Sequence, residues 1–264
     1  MNRLENKFEE LKKLGQKALV GYLTAGDPDI ETSKKILVQA CKAGLDVLEL
    51  GVAFSDPVSD GPVIQKAAHR AIANGITLEK TLGILKYIRQ EEIDIPVVIF
   101  SYYNPIIAYG IERFANDAKA AGADGVLVVD LPFEHSNELD DFLDDSIALI
   151  PLVAPTTGEI RMKKICEAAK GFIYMISRVG VTGGGKLDVK PIAEHVAMVR
   201  KFTDKPVSVG FGVSTADDVK ALGSMVEGIV VGSAFVRIIE ENGHSHAIAT
   251  MVAAKVSELK EATK

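Results

Sequence analysis

The chain has 264 residues, of which 47% are hydrophobic and 25% charged, and a net charge of −6 at pH 7. An acidic balance without a basic block excludes a nucleic-acid surface, and no apolar run approaches the ~20 residues that a membrane span needs. Cys41 and Cys166 are too few for a disulfide scaffold, and the charged N-terminus MNRLENKFEELKKLGQK is no secretory signal, so a cytoplasmic chain folded as a single domain over residues 1–264 is expected.

In chain order the hydrophobic periodicity predicts a helix over 2–14, then a strand at 18–23 (ALVGYL) and a helix at 30–43. A strand at 46–50 (DVLEL) is followed by two helices within 62–91. A strand at 96–100 (PVVIF) precedes a helix at 111–121, and a strand at 125–129 (GVLVV) precedes one at 134–144. The later pairs are 147–152 (IALIPL) with 158–169, 171–175 (GFIYM) with 189–201, and 206–209 (PVSV) with 214–222. The last strand, 227–231 (EGIVV), leads into a short extra helix and a closing helix near 244–262. Eight strands alternating with helices indicate a parallel sheet, and eight closes a (β/α)8 TIM barrel in a chain near the usual ~250 residues. The rival architecture, an open doubly wound α/β sheet, calls for a G-x-G-x-x-G after the first strand, and none is there. Three stretches echo one another: AGLDVLELG, AGADGVLVVD and VEGIVVGS. Each has a turn of small residues, a β-branched strand and a polar stop.

The second strand carries a carboxylate. Side chains alternate along a strand. With Leu48 and Leu50 toward the helices, Val47, Glu49 and Gly51 face the barrel interior, and Glu49 lies near the C-terminal end where TIM barrels keep their active sites. An isolated buried glutamate is as often structural as catalytic. A second acid in the adjoining loop, Asp60, shifts the balance to chemistry, although Asp-Gly is also a common turn pair. Asp56, before Pro57, reads as a loop-shaping residue.

The far strands end in glycine: PVSVGFGVS at Gly210 and Gly212, and GIVVGSAF at Gly232 and Ser233 as a helix begins. Glycine lets backbone amides approach an anion, and the start of a helix attracts negative charge, so a phosphate site is expected here. The stretch SRVGVTGGGKLD, residues 177 to 188, reads as a lid hinged on Gly183 to Gly185. The histidines are scattered; His244 and His246 have no acidic or cysteine neighbour, and no metal site is expected.

Together the motifs LELGVAFSDPVSDGPVIQ, SRVGVTG, GFGVS and VVGSAF resemble the α subunit of tryptophan synthase, in order and spacing, along essentially the whole chain. The resemblance implies a lyase of tryptophan biosynthesis. It would cleave indole-3-glycerol phosphate to indole and glyceraldehyde 3-phosphate without a metal or cofactor of its own. It also implies a β-subunit partner holding pyridoxal phosphate in an αββα assembly. By the resemblance, Glu49 is the acid–base and Asp60 the carboxylate on the indole N–H. Thr182 orients that aspartate, and Arg178 takes part in lid closure. Gly183, Gly212, Gly232 and Ser233 contact the phosphate, while Tyr22, Phe100, Tyr102, Leu127 and Tyr174 line the indole pocket or support it. Burial should raise the Glu49 pKa toward neutrality, and a wetter loop should keep Asp60 ionised. Ala53 where the family favours proline, Val179 after the lid arginine, and the Tyr22 hydroxyl depart from the pattern. Two other readings stand beside this one. A sugar-phosphate isomerase or Schiff-base aldolase on the same fold is one, although no predicted strand holds the lysine that such an aldolase needs. A catalytically inactive scaffold that activates a partner is the other, although it predicts the loss of one of the two acids.

Overall fold

A computed structural model describes residues 2–176, 189–210, 212–243 and 245–264. The strands are β1 (Ala18–Thr24), β2 (Val47–Gly51), β3 (Val97–Ser101), β4 (Gly125–Val128), β5 (Ala148–Leu149), β6 (Leu152–Val153), β7 (Ile173–Ile176), β8 (Val207–Gly210) and β9 (Gly228–Val231). All pairings among them are parallel, in the order β5-β4-β3-β2-β1-β9-β8-β7-β6. The predicted fifth strand is split into β5 and β6 because Pro151 has no N–H to donate. The two pieces still close the ring: Ile150 N donates to Val126 O at 2.8 Å, and Tyr174 N donates to Pro151 O at 3.0 Å. The fold is the TIM barrel.

Two apolar layers result from strand alternation. Leu48, Leu50, Val97, Ile99, Val207 and Val209 face outward and pack with helix residues such as Ile36, Leu85 and Phe114. Val20, Val47, Val98, Leu127, Phe172 and Val230 fill the interior together with Leu4, Phe8 and Leu11 of the helix Arg3–Lys13. Phe8 meets Phe172 with ring centroids 5.5 Å apart. That helix therefore stops the N-terminal end of the barrel and leaves the C-terminal end for chemistry. At that end the helix Ser233–Asn242 follows β9, and Ile248–Glu261 closes the chain.

The echoed segments do the same mechanical work. Asp46, before β2, accepts from Leu19 N at 2.7 Å and from Lys260 Nζ at 2.8 Å. Asp124, before β4, accepts from Val97 N at 2.8 Å and from Arg89 at 2.7 Å. Glu227, before β9, accepts from Val207 N at 2.9 Å and pairs with Arg200. In each case an acid at the foot of one strand satisfies an amide of the preceding strand and pairs with a cation. That cation comes from a helix for Asp46 and Asp124, and from the turn just after the helix Val189–Val199 for Glu227.

Two helices differ from expectation. The stretch 134–144 forms only a 3-10 turn (Phe133–His135) and a single helical turn (Asn137–Asp140). Asp140, Asp141, Asp144 and Asp145 would crowd the C-terminal half of a longer helix, where the helix dipole disfavours negative charge. In the other direction, Tyr103–Tyr109 forms a helix that the sequence reading passed over. Pro105 sits in its first turn, where proline is tolerated, and Asp130 Oδ1 accepts from Tyr103 N at 2.7 Å.

Candidate active site

Glu49 sits in β2 between outward-facing Leu48 and Leu50, in register with Tyr22 of β1 and Val98 of β3. It is fully buried, and neither carboxylate oxygen has a hydrogen-bond partner among the described residues. With nothing to offset the loss of hydration, burial pushes its pKa up to about 8.

Asp60 reaches the same cavity from the loop after β2. The Tyr102 hydroxyl donates to Asp60 Oδ2 at 3.1 Å and accepts from Ser59 N at 2.9 Å, and the Tyr102 ring stacks on Phe54 at 5.2 Å. Asp60 is half-buried, and burial outweighs the Tyr102 hydrogen bond, raising its pKa to about 6. Beside the fully buried Glu49, Asp60 has the wetter site of the two, and its carboxyl is still mostly ionised at neutral pH.

Tyr22, Phe100, Tyr174, Gly212, Gly232 and Ser233 all line this cavity with the two acids. Tyr22 and Phe100 meet edge to face at 5.0 Å. Tyr102 stands behind Asp60. Leu127 is fully buried in the interior layer on which Phe100 packs, so it backs the cavity wall without forming its surface. Gly212 takes φ +87°, and Gly232 is the N-cap of the helix that Ser233 begins. Arg178, Val179, Thr182 and Gly183, with the rest of the lid, lie outside the described residues, as does His244. Among the described residues no lysine or arginine lines the cavity, and no group of three or more His, Cys, Asp or Glu could hold a metal ion. Gly61, Ile64, Val213 and Val230 complete the lining and were not singled out beforehand. Strand parity from Gly228 to Gly232 marks Val230 as inward-facing, whereas Ile64 depends on how the helix after Gly61 docks.

The fold and its paired acids define a TIM-barrel enzyme. The family model described as tryptophan synthase alpha chain matches residues 8–264. A tryptophan synthase alpha chain from Desulfatibacillum aliphaticivorans is 51% identical, each chain covered in full. The crystal structure of tryptophan synthase subunit alpha from Legionella pneumophila str. Paris aligns with a TM-score of 0.91 at 34% identity, covering 100% of this chain and 98% of that one. A chain of Mycobacterium tuberculosis tryptophan synthase in space group F222 gives 0.91 at 31%, with 99% and 98% covered. This chain belongs to the tryptophan synthase alpha chain family. It is a lyase of tryptophan biosynthesis, cleaving indole-3-glycerol phosphate to indole and glyceraldehyde 3-phosphate. The reaction needs no cofactor, and pyridoxal phosphate resides in the β subunit. Among the described residues no helix is long and apolar enough to cross a membrane.

Proposed function

We propose that Glu49 and Asp60 divide the chemistry of the cleavage. Glu49, protonated below about pH 8, delivers its proton to indole C3 and leaves the positive charge on the ring nitrogen. The ionised Asp60 accepts the indole N–H and stabilises that charge. The Glu49 carboxylate then takes the proton of the adjacent glycerol hydroxyl. The carbon–carbon bond breaks, its electrons return to the ring, the aldehyde leaves, and Glu49 is protonated again. The observation that carries this reading is that two carboxyl groups line one cavity in unlike settings. Glu49 is fully buried without a hydrogen-bond partner among the described residues, whereas Asp60 is half-buried and bonded to Tyr102, so the first pKa is pushed further up than the second.

Tyr22, Phe100 and Tyr174 flank the ring, with Leu127 behind them and Tyr102 holding Asp60. Gly212, Gly232 and Ser233 receive the phosphate at the start of the helix Ser233–Asn242, where free amides and the helix dipole favour an anion. Thr182, Gly183 and Arg178 complete the assignment from the lid. Fixing the phosphate holds the glycerol hydroxyl against Glu49.

The chain acts as one barrel domain over residues 1–264, in the cytoplasm, within an αββα assembly with the β subunit. Val58 in the loop after β2, Ile107 in the helix after β3 and Ile160 in the helix after β6 are 82%, 52% and 79% exposed. All three belong to segments that follow strand C-termini, and exposed apolar side chains at that end favour a protein partner there.

Purified chain mixed with a β subunit and indole-3-glycerol phosphate tests the assignment. Glu49→Gln and Asp60→Asn should each lower kcat by about 10²–10⁴-fold, the range of general acid–base catalysis, while inhibition by glyceraldehyde 3-phosphate persists. Near-normal turnover in either variant would overturn the role given to that residue.

A further inference from the structure

We propose that Gln65 is a positioning residue for the cleavage: its side-chain amide ties the turn that carries Asp60 to the start of the following helix and so sets where that carboxylate stands over the cavity. The inference rests on the role given to Asp60 above.

Gln65 lies in the first turn of the helix Pro62–Ala73, where its backbone N donates to Gly61 O at 3.0 Å and closes the first helical hydrogen bond. Its side chain turns back. Nε2 donates to Asp60 O at 2.9 Å and, more weakly, to Pro57 O at 3.4 Å. Pro57 O also accepts from Asp60 N at 3.0 Å, so one amide group grips both ends of the turn over 57–60. No N-cap side chain assists at this end, because the N-cap is Gly61, and Pro62 at the first helical position only presets the backbone.

Among the described residues the Asp60 side chain is held by Tyr102, which reaches its carboxylate and the neighbouring Ser59 N. Ser55, Asp56, Val58 and Ser59 are exposed. Two anchors therefore fix the loop, one at the Asp60 side chain and one at its backbone. If the second is lost, the turn can swing and the 3.1 Å hydrogen bond from Tyr102 weakens. The groups facing Asp60 are Tyr102 from beyond β3, Tyr22 from β1, Glu49 from β2 and Tyr174 from β7, and the described cavity lining brings no cation to replace the lost bond. Since that hydrogen bond holds the Asp60 pKa down, weakening it moves the pKa up. A reacting group displaced by about 1 Å costs up to ~100-fold in rate.

The test is Gln65→Met, of similar length but without the N–H donors, compared with Asp60→Asn in the full chain with a β subunit present. Gln65→Met should lower kcat about tenfold or more and move the acid limb of the pH–rate profile to higher pH. Its KM, its inhibition by inorganic phosphate and its melting temperature should stay near wild type. An inactive Asp60→Asn beside a normal Gln65→Met overturns the inference and leaves the reading of Asp60 standing. Near-normal turnover in Asp60→Asn removes both. A Gln65→Met variant that melts early, or loses phosphate inhibition along with kcat, shows a general structural role and also overturns the inference.

Discussion

The hydroxyl of Tyr22 occupies the space that a side chain at Gly51 would need: a Cβ built on Gly51 would lie 2.4 Å from that oxygen and 2.6 Å from the ring carbon bearing it. Gly51 ends the strand that carries Glu49, and Tyr22 pairs with Glu49 itself. Neither partner can move cheaply, since Tyr22 is buried edge to face on Phe100 and β2 lies between β1 and β3. Gly51→Ala should therefore disturb Glu49 and cost on the order of 1–3 kcal/mol in stability, the usual range for overpacking. Removing the hydroxyl in a Gly51→Ala, Tyr22→Phe double variant should recover part of the stability and activity. Melting temperature and kcat of the two variants check this. Strict additivity of the two changes would show that the contact is not what makes glycine necessary.

Because Glu49 must begin protonated and Asp60 ionised, kcat/KM should follow a bell. Activity falls below about pH 6 as Asp60 takes up a proton, and above about pH 8 as Glu49 loses its own. The maximum lies between them. Tyr102→Phe removes a hydrogen bond that lowers the Asp60 pKa, so its acid limb should move up while the basic limb stays. A profile with one limb, or a Tyr102→Phe acid limb shifted downward, would contradict the division of roles.

Glu49 also carries a stability cost whose sign can be worked out. Its pKa rises from the ordinary 4.5 to about 8 on folding. The folded state therefore holds the proton more tightly, and stability falls as pH climbs from about 4.5 to about 8. At ~1.36 kcal/mol per unit the total is on the order of 3–5 kcal/mol. Glu49→Gln, which cannot ionise, should match wild type near pH 4.5 and become progressively more stable than it up to about pH 8. Thermal melts across that range read the difference, and a constant gap would refute the assignment of an unpaired carboxyl.

The barrel was legible because outward-facing strand residues such as Leu48, Leu50, Val97 and Ile99 repeat between helical periods, and Glu49 stood out as a charge on the opposite parity. The loop acid and the glycine strand ends were legible as motifs. Less visible was everything set by tertiary reach. Gln65 is an ordinary helix residue until its side chain is seen folding back on the turn over 57–60. Asp60 reads as an acid in an exposed loop, and the Tyr102 hydroxyl that reaches its carboxylate comes from beyond β3. The three echoed segments were recognised by their strands and polar stops, yet the residue that matters mechanically in each is the acid in front. Asp46, Asp124 and Glu227 each need a backbone amide from another strand and a cation from elsewhere in the chain, and sequence spacing reveals neither.

The Asp124 cluster gives the sharpest test of that mechanical role. Asp124 is buried and takes hydrogen bonds from Val97 N, Arg89 and Arg3. Arg89 in addition donates to the carbonyls of Gly122, Ile93 and Ile95, at 2.8 Å, 2.8 Å and 2.7 Å. Arg89→Met keeps most of the side chain's volume but leaves a buried carboxylate short of its main cation and three carbonyls without their donor. Breaking a buried pair from one side typically costs ~3–5 kcal/mol. Asp124 lies at the foot of β4, at the barrel end opposite the cavity, so the loss should appear as a lowered melting temperature with KM for indole-3-glycerol phosphate unchanged. Removing Asp124 as well, in Arg89→Met with Asp124→Asn, takes away the stranded charge while keeping an acceptor for Val97 N. The double variant should be less destabilised than the sum of the two single changes. If the losses simply add, Arg89 stabilises the barrel through its carbonyl contacts alone and the acid–amide–cation clamp is not a unit.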